Sequence, residues 1–386
     1  MTKNSTDTKA ESIDVIVRNI FTRATNLEAK GMNIINLAFG APGFKTPKVI
    51  RDATREFIQS DQKPLVPLTG LPELRNEVCN YIDRTRGFRP EMDQILIGSS
   101  VKAMLFSTLL TIVNRGDEVI ITDPGLPYYS RLITLLGAKV RVVPRVPDDG
   151  FKLHMDKLQN LIGKKTKAII LSTPHNPTGN TLTTLEVQEI FELAEKNGSL
   201  IISDESYSQI VFTGWHTSPS TIDRSKDRTV ILEGISHSFS MAGWGLGFYL
   251  GPVDIIDKIE NTIADTEAHV HSLIQFAGSE SLKNADEIVP QTFEKYNRNC
   301  NALVTGLNEL PGFKCTMPGG GIFIFPDISD TKKTGIELAE YLLDTAGVAV
   351  MPGSVFGSQG NGHIRLTFAT SIEKINEAIM RLQESF

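Results

Sequence analysis

A chain of 386 residues exceeds the usual size of one compact domain and can bury a large core. Its 40% hydrophobic and 22% charged residues are ordinary for a globular protein, and a net charge of -6 without long basic runs argues against nucleic acid or an anionic membrane as partner. No apolar stretch approaches the roughly 20 residues of a transmembrane helix, the polar start gives no secretory signal, and three scattered cysteines make neither a disulfide framework nor a metal knuckle, so a cytoplasmic protein with reduced thiols is expected.

In chain order, apolar residues at Ile13, Val15, Ile16, Ile20, Phe21 and Leu27 predict an amphipathic helix over 12–30, stopped by Gly31. The run I-N-L-A-F-G-A-P-G-F then reads as a short strand entering a Gly/Pro turn at Gly40. Short β-rich runs follow at 94–97, 118–122, 140–143, 168–172, 200–203, 229–232 and 248–250, separated by helical stretches of crossover length. That alternation predicts an α/β fold with a mostly parallel, seven-stranded sheet covered by helices on both faces. From about residue 287 the texture changes to a charged helix over 287–310, then strands at 323–325, 348–350 and 364–368 around another helix. Residues 46–285 are expected to form a large α/β domain and 286–386 a smaller α+β domain, which residues 1–45 complete.

Several motifs occur in a fixed order: T-G-L-P-E-L-R at 69–75, H-N-P-T-G at 175–179, D-E-S-Y at 204–207, G-I-S-H-S-F-S-M-A-G-W-G-L-G at 234–247, M-P-G-S-V-F-G at 351–357 and H-I-R-L-T-F-A at 363–369. Together with the 35–44 entrance, this series resembles the class I/II aminotransferases of pyridoxal phosphate fold type I over nearly the whole chain. The resemblance implies that Asp204 sits under the cofactor's pyridine nitrogen, where a carboxylate keeps the ring an electron sink. It implies that Asn176 and Tyr207 bond the ring's 3-oxygen, that Arg365 clamps a substrate carboxylate with its planar fork, and that Gly40 lies beside the substrate. It also implies a homodimer. Blander readings stay open: a tight proline turn for Asn176, a structural ion pair for Arg365.

The resemblance breaks at its chemical centre. His237 stands where the family has its Schiff-base lysine, and Gly245 where an arginine grips the cofactor phosphate. Leu65 replaces the tyrosine that reaches the neighbouring subunit's phosphate, and Leu126 replaces the aromatic that stacks on the ring. What remains for phosphate is the helix start at Ser100, Val101 and Lys102, with hydroxyl help from Ser236. Pyridoxal phosphate or pyridoxamine phosphate would be held there weakly and without a covalent bond, if at all. His237 reads either as an acid/base in the lysine's place or as a side chain filling vacated space.

Asp204, Asn176 and Tyr207 persist as a group, and a buried carboxylate without a donor is costly. Their persistence argues for a cationic or hydrogen-bond-donating ligand in the ring subsite, with a structural main-chain donor as the alternative. His269 and His271 fall on a segment expected to be extended and to reach the partner's site, where they would touch substrate; no convincing metal set accompanies them. Three functions follow. The first is a divergent aminotransferase-like enzyme acting on an amino acid or 2-oxo acid, with His237, Asp204 and Tyr207 catalytic. The second is a cofactor-independent enzyme performing elimination, cyclisation or proton transfer on a carboxylate substrate. The third is a non-catalytic partner subunit.

Overall fold

The computed structural model describes residues 13–40, 43–61, 64–266 and 270–386. Its strands are β1 (Ile35–Asn36), β2 (Ile95–Gly98), β3 (Glu118–Asp123), β4 (Lys139–Pro144), β5 (Thr166–Ser172), β6 (Leu200–Asp204), β7 (Thr229–Gly234), β8 (Gly247–Leu250), β9 (Phe323–Ile324), β10 (Val348–Ala349), β11 (Met351–Pro352) and β12 (Ile364–Thr367). Strands β2 to β8 make one sheet in the order β2-β8-β7-β6-β5-β3-β4. Only β8 runs against its neighbours β2 and β7; the other pairings are parallel. This is the α/β architecture that the alternating runs predict. β2 and β8 are buried along their whole length, and β5, β6 and β7 nearly so, as expected for strands with helices on both faces.

The helices between the strands carry their own start and stop signals. Thr183 and Glu186 form a capping box at the start of the helix Thr184–Asn197, and Gly198 ends it in the left-handed conformation. The predicted N-terminal helix is Ile13–Ala29, and the charged one is Ala285–Asn308, which accommodates Pro290 near its start. β1 pairs in parallel with β10, so the N-terminal segment is stitched to the C-terminal third, while β11, β12 and β9 form a separate antiparallel sheet. Ile16 and Ile20 share a core with Tyr296, Leu303, Leu338 and Leu342. Among the described residues, no helix is long and apolar enough to cross a membrane.

Parallel pairing brings the C-terminal ends of β3, β5 and β6 to one edge of the sheet, at Asp123, Ser172 and Asp204. The turns that leave these ends are where a ligand site forms in sheets of this kind. Just below the Asp204 turn, a guanidinium nitrogen of Arg86 lies between the carboxylates of Glu205 and Glu233, all three side chains nearly fully buried. Glu233 also accepts from the Tyr81 and Ser208 hydroxyls, each at 3.0 Å. Glu205 accepts from Ser218 at 2.7 Å and from His216 Nε2 at 3.0 Å. Burial pushes the Glu205 carboxyl up, but Arg86 and His216 outweigh it and hold it at about 2. Removing the arginine would leave buried Glu233 with hydroxyl donors alone and buried Glu205 with only His216 and Ser218. Arg86→Met should therefore cost about 3–5 kcal/mol, read as a lower midpoint in urea unfolding, with Lys48→Met at an exposed ion pair as the near-silent control.

Candidate active site

Arg365, on β12, is only 7% exposed and, among the described residues, forms no ion pair. Its guanidinium carbon lies 3.9 Å from the centre of the Phe323 ring and 4.5 Å from that of Phe356. Nη2 donates to the Ala38 carbonyl at 2.7 Å and Nη1 to Asn176 Oδ1 at 3.0 Å, while Nε is buried without a partner. Burial lowers its pKa to about 10, so it remains a cation at neutral pH. The reading of Arg365 as half of a structural ion pair is not what the structure shows. Gly40 lies against the same assembly, since a Cβ there would stand 2.4 Å from the Phe323 ring.

Because a guanidinium only donates, Asn176 must turn its oxygen to Arg365 and its amide nitrogen to the Tyr207 hydroxyl, 3.3 Å away. The buried 173–179 turn that carries Asn176 contains a cis Asn176–Pro177 bond. Burial, with Asp204 nearby, raises the Tyr207 hydroxyl well above its usual pKa, so it keeps its proton and can donate it onward. The Tyr207 ring lies 4.9 Å from that of His237, tilted by 38°. Arg365, Asn176, Tyr207 and His237 therefore form one continuous chain of contacts.

Asp204 is not the orphan that its residue type suggested. Its Oδ1 accepts from the Ser206 hydroxyl at 2.6 Å and the Ser206 main-chain N–H at 3.2 Å, and its Oδ2 accepts from the Tyr129 hydroxyl at 2.8 Å. Burial raises its pKa against these three bonds. The alternative of a structural main-chain donor is realised in the Ser206 N–H, and the chain's own donors fill three of the carboxylate's roughly four acceptor positions. One position remains, on Oδ2.

His237 follows β7 in a turn fixed by main-chain bonds, with its carbonyl accepting from the Tyr296 hydroxyl at 3.2 Å. The residue is half-buried, and its ring Nδ1 is sealed off without a partner. Burial lowers its pKa to about 4, so the imidazole is neutral near pH 7. Half-buried Ser236, just before it, accepts the Met241 N–H on its carbonyl at 2.8 Å. Gly245 has φ +70°, and a Cβ there would approach the Ser99 carbonyl at 3.4 Å.

The expected anion-binding helix is Val101–Ile112. Ser100 is its N-cap, with its hydroxyl accepting from Ala103 N–H at 3.3 Å, and this leaves the N–H groups of Val101 and Lys102 without helical acceptors. Lys102 is exposed, with Nζ 5.7 Å from the centre of the Tyr128 ring, which packs edge-on against Tyr129. Leu126 is half-buried at the start of the helix Pro127–Leu135, and Leu65 is 94% exposed. The expected extended segment is corrected from residue 272 onward, where the helix Ser272–Lys283 begins. His271 is exposed just ahead of it and His269 lies outside the described residues. Among the described residues, no group of three or more His, Cys, Asp or Glu is placed to hold a metal.

Sequence reasoning missed Tyr129, Ser206, Phe323 and Phe356. The paired tyrosines of D-P-G-L-P-Y-Y were the available signal for the first of these, whereas the phenylalanines look like ordinary core residues.

This fold and edge site define a class of protein, and comparison with known proteins agrees. Residues 32–382 match the family described as aminotransferase class I and II, and the chain belongs to that family. It is 32% identical over 371 residues to an aspartate aminotransferase of Pyrococcus horikoshii, covering 96% of this chain and 94% of that protein. It is 33% identical over 371 residues to an aspartate aminotransferase of Bacillus subtilis, with 94% of each covered. Among solved structures, a double mutant of the Thermus thermophilus aspartate aminotransferase superimposes with a TM-score of 0.90 at 28% identity over the full length of both chains.

The neutral imidazole has a consequence for stability. The folded-state pKa of His237 is depressed from 6.5 to about 4, so the unfolded chain takes up this proton first as pH falls. The associated stability is complete above pH 6.5 and is lost as pH drops towards 4. At pH 4.5 the parent should have lost about 2–3 kcal/mol more than His237→Phe has, relative to pH 7. Urea unfolding of both proteins at the two pH values measures the difference, and equal losses would show that His237 is protonated in the folded state.

Proposed function

We propose that this chain is a divergent aminotransferase-like enzyme acting on an amino acid or 2-oxo acid, without the family's covalent link to its cofactor. The observation that carries this reading is the buried, anion-free guanidinium of Arg365, joined through Asn176 and Tyr207 to His237. Arg365 takes the substrate carboxylate through its guanidinium, whose buried Nε is left without a partner. Tyr207 donates a hydrogen bond, and His237, neutral near pH 7, takes the substrate proton through Nε2, since Nδ1 is sealed off. The relatives' names point to ordinary transamination by those proteins. The departure proposed here rests on position 237, where an imidazole stands in place of the amine.

The residues fit pyridoxal phosphate or pyridoxamine phosphate at the ring end and poorly elsewhere. Asp204 has one acceptor position left for a ring N–H, and the Tyr207 hydroxyl can meet a ring oxygen. The phosphate would rest on the helix start at Ser100, Val101 and Lys102 with Ser236 beside it, and no guanidinium reaches it from Gly245. When bound, the cofactor supplies a ring that draws electrons from a carbanion formed beside it. The same reading places a second subunit over Leu65, with His269 and His271 near its neighbour's site, and divides the chain near residues 45 and 286 in a cytoplasmic homodimer. A cofactor-independent enzyme is the second reading, favoured by the donors that already satisfy Asp204. The absorption spectrum of the purified protein with and without pyridoxal phosphate separates the two.

Borohydride reduction in the presence of pyridoxal phosphate, followed by peptide mass measurement, should find no pyridoxyl group on a lysine of the site. An adduct there would sink the non-covalent reading and restore ordinary transamination. Arg365→Lys keeps the charge and loses the planar fork, so its affinity for 2-oxo acids should fall about tenfold or more in calorimetric titration. Unchanged binding would make the clamp vestigial and move the partner-subunit reading to first place. His237→Lys alone should not yield tight cofactor binding. Gly245→Arg should strengthen cofactor binding about ten- to hundredfold in titration while lowering folding stability by about 1–2 kcal/mol, because a non-glycine residue at φ +70° is strained with or without ligand.

A further inference from the structure

Asp123 closes β3 at the same sheet edge as Ser172 and Asp204, yet its carboxylate points to another part of the chain. Oδ2 accepts from the Ser358 N–H at 3.1 Å and the Ser358 hydroxyl at 2.7 Å, and Oδ1 accepts from the Gln359 N–H at 3.1 Å. Two residues on, the Gly125 N–H donates to the Phe356 carbonyl at 2.8 Å. Four hydrogen bonds thus tie residues 356–359 to residues 123–125, and three of them converge on one anion. The approach is close enough to dictate a residue type. Gly357 adopts φ +130°, and a Cβ there would stand 2.1 Å from Asp123 Oδ1 and 2.6 Å from its Cγ. Among the described residues, no cation pairs with Asp123, so N–H and O–H donors alone meet its charge, and most of them come from this loop.

The loop also carries the ring that shields the clamp. Phe356 lies 4.5 Å from the Arg365 guanidinium, opposed by Phe323 at 3.9 Å, and its own carbonyl is one of the four tied groups. We infer that Asp123 is a positioning residue for the carboxylate clamp: it anchors the 356–359 loop so that the Phe356 ring stays on Arg365 and keeps water from the guanidinium. A desolvated cation attracts an incoming carboxylate more strongly than a hydrated one. Because coupling between sites is reciprocal, a carboxylate at Arg365 also tightens the loop on Asp123. This inference rests on the reading of Arg365 as a carboxylate clamp.

The test uses full-length protein, with phenylpyruvate, its carboxamide and 2-oxoglutarate as calorimetric probes, and hydrogen exchange over residues 356–360 as the structural readout. Asp123→Asn keeps the side chain's shape but turns an amide towards the loop's donors. It should weaken binding of both acids about tenfold and leave the carboxamide unchanged, so that discrimination between acid and amide collapses. Exchange at Ser358 and Gln359 should quicken while β5 to β7 stay protected, and either acid should slow it in the parent. Ser358→Ala removes one bond of the three and should give a smaller shift of the same kind; it carries the test if Asp123→Asn does not fold. If Arg365→Lys loses the acids while Asp123→Asn and Ser358→Ala bind them as the parent does, this inference falls alone. A parallel loss of acid and carboxamide would reduce Asp123 to a structural tie and overturn it equally. A parent that binds neither acid removes the clamp reading and this one with it.

Discussion

A cation held away from water without a counter-anion is the feature around which this protein is arranged. Moving a guanidinium into the interior costs several kcal/mol even after relaxation, and Arg365 recovers part of that from two hydrogen bonds and two phenyl faces. Those partners come from four separate stretches: Ala38 beside β1, Asn176 after β5, Phe323 in β9 and Phe356 before β12. A single side chain thereby fixes the N-terminal segment, the edge of the large sheet and the C-terminal antiparallel sheet relative to one another. The uncompensated charge is tolerated because it lies in one well-packed place.

Two groups beside it carry no charge at neutral pH. Tyr207 remains a protonated hydroxyl and His237 a neutral ring, both because burial disfavours their charged forms. Asp204, the nearest acid by role, is engaged by Ser206 and Tyr129. Tyr207 therefore sits between two opposed charges, Asp204 raising its pKa and Arg365 lowering it. The strongly paired acids are set one layer deeper, where Glu205 and Glu233 share Arg86.

Much of this was legible in the sequence, and the division between what was and was not has a physical basis. The strand runs could be read because sheets covered on both faces need continuous apolar β-formers, and even the two-residue β1 was signalled by the I-N-L-A run. Asn176, Asp204, Tyr207, His237 and Arg365 stand out because the ordered motifs that carry them resemble those of the aminotransferase family, and each motif position implies a role. Tyr129 could not be assigned, since its hydroxyl meets a carboxylate 75 residues away. Ser206 looked like a turn serine, and only the local geometry shows that both of its donors serve Asp204. The helix Ser272–Lys283 was misread as part of an extended segment because His271 provides no side-chain cap to mark its start. Phe356 carried no signal at all, because stacking on a guanidinium leaves no pattern along the chain.

The backbone at Gly245 has a consequence for anyone trying to retrain this scaffold. With φ at +70°, glycine is at ease there and every other L-residue is strained. A library that varies position 245 alone and is ranked by stability would score replacements as harmful, including one whose side chain made a good contact, because the backbone penalty is present without ligand and the benefit only with it. The positions that could relax in the same step are Trp244 beside it and Ser99, whose carbonyl a Cβ at 245 would approach at 3.4 Å. Stability screening of that position would therefore pass over a gain that only a bound ligand reveals.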